Sequence, residues 1–190
     1  MYKKEWPEYS YLSSTMGFRY CDLLLGQGKY KEVLSRASQT IEIAKRNRYL
    51  LDIALDHLSI GKAHLLQALI EKKDDFIRAA EHLNLGVDGL RQAGQQDELP
   101  RSLLSRAELY RVRRDFGRAQ RDLDEAATIA ERGGMGLHKA DCCLGYARLY
   151  LAMGEKEKAR ESLAKAKEMI QKMGYHRRDR EVKELEEAIP

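Results

Sequence analysis

Proline is scarce in this sequence, at three residues in 190 (Pro7, Pro100 and Pro190). Its rarity leaves long segments with no ring to break a helix. Cysteine is equally rare. Cys21, Cys142 and Cys143 are an odd set with two members adjacent, which excludes a disulfide framework. Neighbouring Cys142 and Cys143 would project from a helix about 100° apart, a poor geometry for bridging each other. A reducing compartment, the cytoplasm, is the expectation. No apolar run approaches the length of a bilayer span, and the N-terminal residues carry charge with no apolar core behind them, unlike a secretory leader. Neither sign of charge dominates: 34 basic residues stand against 30 acidic, for a net +4. That is too mild to argue for nucleic acid by itself.

What is present favours helix. Charged residues make up 34% and hydrophobic residues 43% of the chain. Leu, Ala, Glu, Lys and Arg lose little side-chain freedom in a helix. The chain is also long enough to bury a core without staples.

Four segments repeat one skeleton, in which a turn is followed by an aromatic or long side chain and then by a helix rich in Ala and Leu. They are Gly28-Lys-Tyr-Lys-Glu-Val33, Asp74-Asp-Phe-Ile-Arg-Ala79, Arg114-Asp-Phe-Gly-Arg-Ala119 and Gly154-Glu-Lys-Glu-Lys-Ala159. Their last residues are spaced by 46, 40 and 40. Small residues recur in the preceding helix at Gly61, Ala63 and Ala107, and aromatics near its end at Tyr110 and Tyr150. Apolar and small residues continue the second helix at Ala37 and Ile41, Leu83 and Val87, Leu123 and Ala126, and Leu163 and Ala166. Small side chains let antiparallel helices approach, and large ones fill the gap to the next pair.

These segments resemble the tetratricopeptide repeat over about residues 10 to 174. The 40-residue period exceeds the usual ~34 of the family. In that respect the chain resembles the long-helix arrays near the C-termini of bacterial signalling ATPases and in the maltose-system transcription activator, where Gly174-Tyr-His-Arg-Arg178 also has counterparts. The residues predict helices at roughly 9–26, 29–46, 50–72, 74–93, 98–113, 116–132, 137–153, 156–173 and 178–188. The extra length around 69–75 implies a longer helix or an added loop. Asn47, Gly94, Gly133-Gly134 and Gly174 are expected to end helices in place of the family's proline. The fold implied is an all-α superhelix in one domain, with hairpins at 10–46, 50–93, 98–132 and 137–173. A capping helix at 178–188 would bury Val182, Leu185 and Ala188. Trp6 and Tyr9 could shield the first hairpin, but the favoured expectation is that the chain is the C-terminal piece of a larger protein.

The resemblance further implies a concave groove lined by the first helix of each pair. Mapped onto this sequence, its positions include Phe18, Asp22, Leu58, Lys62, Arg101, Leu104, Glu108, Arg111, Asp141, Leu144 and Arg148. Cations there would orient an acidic protein or peptide segment, with Phe18, Leu58, Leu104 and Leu144 adding apolar area. Stacked ends leave a homo-oligomer open. The alternative reading is a sensor domain of a larger bacterial signalling NTPase or transcription regulator, binding an effector or its own upstream domain.

Two stretches are weighed against plainer roles. Arg101, Arg106, Arg111, Arg113, Arg114, Arg118 and Arg121 crowd the third hairpin. An anion-binding stripe is one reading. The favoured one is a solvated hairpin balanced by Asp122, Asp124 and Glu125, with no aromatic platform among the arginines, so nucleic acid is not expected. In Gly174-Tyr-His-Arg-Arg178, a structural junction is favoured over contact with a partner. The five histidines form no His-x-x-x-His pair, and no Cys-x-x-Cys, phosphate loop or nucleophile elbow occurs. A binding protein without cofactor, metal or catalytic residues is therefore expected, and Cys143 is expected to pack inside the fourth hairpin.

Overall fold

A computed structural model describes residues 14–189 of the chain. They are all-helical, with nine α-helices among the described residues: α1 (Ser14–Gly26), α2 (Tyr30–Asn47), α3 (Leu50–Ile70), α4 (Ile77–Gln92), α5 (Leu99–Val112), α6 (Phe116–Arg132), α7 (Gly136–Met153), α8 (Lys156–Met173) and α9 (Asp179–Ala188). A 3-10 turn, His176–Arg178, leads into α9. Residues 9–13 of the expected first helix, together with Trp6 and Tyr9, lie outside the described residues. No helix among the described residues is long and apolar enough to cross a membrane.

The repeat is visible in the backbone. Each of the eight connections contains one residue in the left-handed conformation: Gly28, Arg48, Lys72, Gly94, Arg114, Gly134, Gly154 and Gly174. In each, the next residue's N–H reaches back to a carbonyl five positions earlier, as in Lys29 to Leu24, Asp115 to Tyr110 and Glu155 to Tyr150. This is the Schellman closure, which satisfies carbonyls that the helix end would otherwise orphan. The left-handed residues that end α2, α4, α6 and α8 recur with the 46, 40, 40 spacing of the sequence segments. Val33, Ala79, Ala119 and Ala159, the anchors of those segments, are all fully buried. The extra six residues of the second pair divide in two. Lys72 follows Arg48 by 24 positions where the next two pairs need 20, which is about one helical turn. The other two lengthen the loop before Ala79. One expected helix stop is corrected: Asn47 remains helical and its side-chain amide donates to the Ile43 carbonyl at 3.0 Å, while Arg48 takes the left-handed position.

The chain divides into two compact units between Gln96 and Asp97. In the first, α3 is central and packs on α1, α2 and α4. Its approach to α4 is close because glycines face it. A Cβ at Gly61 would lie 2.9 Å from the Leu83 backbone nitrogen, and one at Gly86 would lie 3.2 Å from that of Leu58. Leu55, Leu58, Leu83, Val87 and Leu90 are fully buried.

In the second unit, α6 packs on α5 and α7, α7 on α8, and α9 on α8 with an edge on α7. Asp115 caps α6 by accepting the Arg118 N–H at 3.2 Å. Ala140, Leu144, Ala147, Ala166 and Ile170 form a core that Val182, Leu185 and Ile189 complete from the cap. Ile189 fills the place expected of Ala188, which is exposed. Cys143 is half-buried and packs against this core, as expected, while its neighbour Cys142 is fully buried. Burial pushes the Cys142 thiol up to about 12, an inert side chain.

Candidate functional site

In the first unit, Phe18, Asp22 and Lys62 come together between α1 and α3. The Lys62 ammonium pairs with the Asp22 carboxylate and sits 5.6 Å from the centre of the Phe18 ring. Phe18 is only 4% exposed and Leu58 not at all. Their expected apolar contacts with a partner are corrected: both side chains face the protein's own interior.

Deeper in the same unit, the Thr40 hydroxyl donates to Asp56 at 2.8 Å. Burial pushes the Asp56 carboxyl up to about 7, with Asp52 adding to the rise and Thr40 and Arg36 opposing it. Three histidines that look scattered in the sequence also meet here. His57 and His64 stand two turns apart on α3, and His82 faces them from α4. The Nδ1 atoms of His57 and His82 are 2.9 Å apart, and the His64 and His82 ring centres 6.1 Å. Burial pulls His57 down to about 4, helped by His82 and Lys45, and burial also lowers His64 and His82. Two neutral rings in this contact need opposite roles, one donating and one accepting. Among the described residues no group of three or more His, Cys, Asp or Glu side chains is arranged to hold a metal ion.

The second unit carries a longer polar arrangement along α5, α7 and α9. Arg111 binds Glu108 through Nε and Nη2, at 2.9 and 2.6 Å. Burial would raise Glu108, but the Arg111 guanidinium, with help from Arg148, holds it below the ordinary carboxylate range. Arg148 of α7 pairs with Glu181 of α9. Glu181 also receives Arg178, whose other edge grips Asp141 of α7 at 2.7 and 3.0 Å. Against its own burial, that pairing holds the Arg178 guanidinium above its ordinary range. Arg148, Glu181, Arg178 and Asp141 thus form one run of ion pairs between α7 and the start of α9, and the Glu108–Arg111 pair of α5 feels the charge of Arg148. Tyr175 leans on the end of this chain, with its hydroxyl 3.4 Å from Asp141 and its ring 5.6 Å beneath Arg178. Gly174-Tyr-His-Arg-Arg178 is a junction, as favoured from the sequence.

Four expected groove residues, Glu108, Arg111, Asp141 and Arg148, therefore belong to this arrangement, but each is already paired inside the chain. Arg101 is drawn to Glu98 at 3.1 Å. Leu104 is half-buried against the Leu123 cluster. Leu144 is 1% exposed and, like Leu58, belongs to the core rather than to a surface. Glu181 and Glu184 were missed by the sequence reading because they lie beyond the last repeat, and Arg178 was read only as part of the junction. The acidic spacing 181, 184 on an amphipathic cap was the signal that could have found them.

Beside this network is a cavity of about 260 Å³ lined by Arg111, Arg148, Leu151, Ala152, Glu181, Glu184 and Leu185. Among the described residues Arg111 donates through Nε and Nη2 and Arg148 through Nη2. Arg111 Nη1 and Arg148 Nε and Nη1 keep donor capacity beside an apolar floor.

Of the crowded arginines of the third hairpin, Arg113, Arg114, Arg118 and Arg121 are exposed, in keeping with a solvated hairpin, and Arg101, Arg106 and Arg111 are half-buried. Arg106 binds Asp122 by two 2.8 Å bonds, and Arg118 pairs with Asp115. Aromatic faces also take part, a correction to the sequence reading: Arg106 and Arg118 lie 5.9 and 5.7 Å from the Tyr110 ring, and Arg114 lies 5.9 Å from Phe116.

No protein-family model matches the chain, and no curated protein and no solved structure matches it.

Proposed function

We propose that this chain is a non-catalytic binding module in which tetratricopeptide-like hairpins continue into a solenoid, and that its second unit receives a protein or peptide segment on the wall formed by α5, α7 and α9. The observation that carries the reading is the cavity there. Two guanidinium groups edge a floor made of Leu151, Ala152 and Leu185. Such a site suits a short apolar side chain next to a carboxylate: the floor supplies area, and the remaining guanidinium nitrogens supply charge-assisted donors.

The internal pairing refines the expectation of a broad acidic ligand. Glu108 and Glu181 already neutralise most of the positive potential, so one carboxylate at a defined position is favoured over an acidic run. Preformed helices hold both arginines in place, so little ordering is lost on binding. The cytoplasm remains the proposed compartment.

The test fills the cavity without breaking an ion pair. Ala152→Arg adds bulk at the floor and leaves Arg111, Arg148 and their carboxylates in place. A displayed random-peptide library is selected on the full chain. Peptides with an apolar residue beside an acidic one are expected to enrich, and to lose binding to Ala152→Arg at unchanged helical circular dichroism. Enriched peptides that bind the variant equally well, or no enrichment, would overturn the reading.

A further inference from the structure

His57 and His82 meet although 25 residues separate them and no His-x-x-x-His spacing announces them. The backbone sets the contact. Gly61 lies one turn beyond His57 on α3 and Gly86 one turn beyond His82 on α4, and these glycines let the two helices close up. Both imidazoles are half-buried, so they are held by the fold without being sealed from solvent. Their Nδ1 atoms stand 2.9 Å apart. As a hydrogen bond, the contact has one ring donating and the other accepting. The same separation is also a bite distance. Two nitrogens bound about 2.05 Å from one metal at a right angle stand about 2.9 Å apart, whereas a tetrahedral angle needs about 3.3 Å. Right-angle nitrogen pairs suit tetragonal Cu(II) and Ni(II) rather than tetrahedral Zn(II).

We propose that His57 and His82 form a two-imidazole chelate across α3 and α4 for a divalent metal of tetragonal preference, Cu(II) or Ni(II). Burial keeps both rings neutral at pH 7, the form that ligates. The ring that carries its proton on Nδ1 shifts it to Nε2. Each metal-facing nitrogen then offers a lone pair, and no proton is released. His64 is engaged by the Gln67 side chain, and among the described residues no third His, Cys, Asp or Glu joins the pair in a closed metal site. Water therefore takes the other positions, which makes this an open centre rather than a structural one. The surrounding charge is mixed: Lys45 and Arg78 act on the histidine rings against Asp75 and Glu81. Two packed helices hold the pair before binding, so little ordering is lost. The proposal stands independently of the cavity in the second unit.

The full chain is titrated calorimetrically with Cu(II) and, separately, with Ni(II) and Zn(II), in a non-coordinating buffer at neutral pH. One Cu(II) per chain is expected, with a tetragonal electron paramagnetic resonance spectrum that shows two equatorial imidazole nitrogens. Ni(II) is expected to bind more tightly than Zn(II). His57→Asn and His82→Asn each put an amide near the place of Nδ1, so a polar contact survives while the imidazole ligand is lost. Each is expected to weaken Cu(II) binding about a hundredfold, the loss of one of two tethered contacts, at unchanged helical circular dichroism. His176→Asn, at the exposed histidine of the 3-10 turn, is expected to bind as wild type does. No one-to-one binding, a spectrum with fewer than two imidazole nitrogens, or Zn(II) held more tightly than Ni(II) would overturn the proposal. Affinity unchanged in either the His57 or the His82 variant would also overturn it, as would affinity that falls only in His176→Asn, because the metal would then sit at the surface turn.

Discussion

Arg178 holds Asp141 with two hydrogen bonds, at 2.7 and 3.0 Å, and so joins the turn before the last helix to the second turn of α7. The same guanidinium reaches Glu181 on α9, and Asp141 is nearly enclosed, with 11% of its side chain exposed. Removing the cation would leave a buried carboxylate without compensation, a change that costs about 3–5 kcal/mol. Arg178→Ala is expected to lower the urea midpoint strongly, and hydrogen exchange should show α9 opening before the rest. Arg178→Lys keeps the charge but loses the planar fork, so it should recover only part of the loss. An alanine variant with wild-type exchange in α9 would contradict this account of the cap.

Much of the fold was legible because it rests on local pattern. The expected α6 and α8 limits agree with the structure residue for residue, and Val33, Ala79, Ala119 and Ala159 are buried as the phase of the repeat requires. The site was less legible because side-chain pairing is not local. Glu181 follows Arg148 by 33 residues and Arg178 follows Asp141 by 37, and only the packing of α9 on α7 joins them. The histidine contact has the same origin: His57 and His82 are neighbours because Gly61 and Gly86 let α3 and α4 close up. The groove positions taken from the resemblance also misled at Phe18, Leu58 and Leu144, which are buried in the core.

The close approach of α3 and α4 makes two glycines behave oppositely. In a helix, Gly→Ala should gain up to about 1 kcal/mol from reduced backbone entropy in the unfolded chain. At Gly117 nothing lies within 4 Å of the new Cβ, so Gly117→Ala is expected to stabilise by about that amount. At Gly61 the new Cβ would stand 2.9 Å from the Leu83 nitrogen, and a backbone cannot give way cheaply. Gly61→Ala is expected to destabilise by roughly 1–3 kcal/mol despite its better propensity. Chemical denaturation of the two variants checks the contrast, and equal effects would rule out the tight contact.

Three connections use a side chain where the backbone prefers glycine. Arg48, Lys72 and Arg114 have φ of 56°, 51° and 61°. A residue with a Cβ meets its own carbonyl in this region, at a cost of roughly 1–2 kcal/mol. Arg48→Gly is expected to raise stability by up to about 1 kcal/mol, because glycine's extra unfolded-state entropy offsets part of the relief. Gly154→Ala, at φ 82°, should lose a similar amount. A melting temperature that falls in Arg48→Gly would show that the Arg48 side chain contributes more than its backbone costs.

The acidic and histidine groups of the first unit pull its stability in opposite directions with pH. The Asp56 carboxyl is raised by burial from 3.8 to about 7, so the folded chain binds this proton more tightly than the unfolded one. Its favourable contribution is complete below about pH 4 and is lost as pH rises to about 7. His57 is lowered by burial from 6.5 to about 4, and His64 and His82 are lowered too, so their contributions are complete above about pH 6.5 and fade on acidification. Beyond the cluster, Lys45, Arg78, Glu81 and Asp75 face these rings and set the background field. Asp56→Asn keeps an oxygen to accept the Thr40 hydroxyl and removes only the charge. The variant is expected to be more stable than wild type at pH 8 and to lose that advantage steadily towards pH 4. It should also show a steeper acid loss between pH 6.5 and 4, because nothing then offsets the histidines. Urea titrations across this range check both slopes. A stability difference that stays constant from pH 4 to 8 would mean that Asp56 titrates at its ordinary value and that its burial does not control the charge.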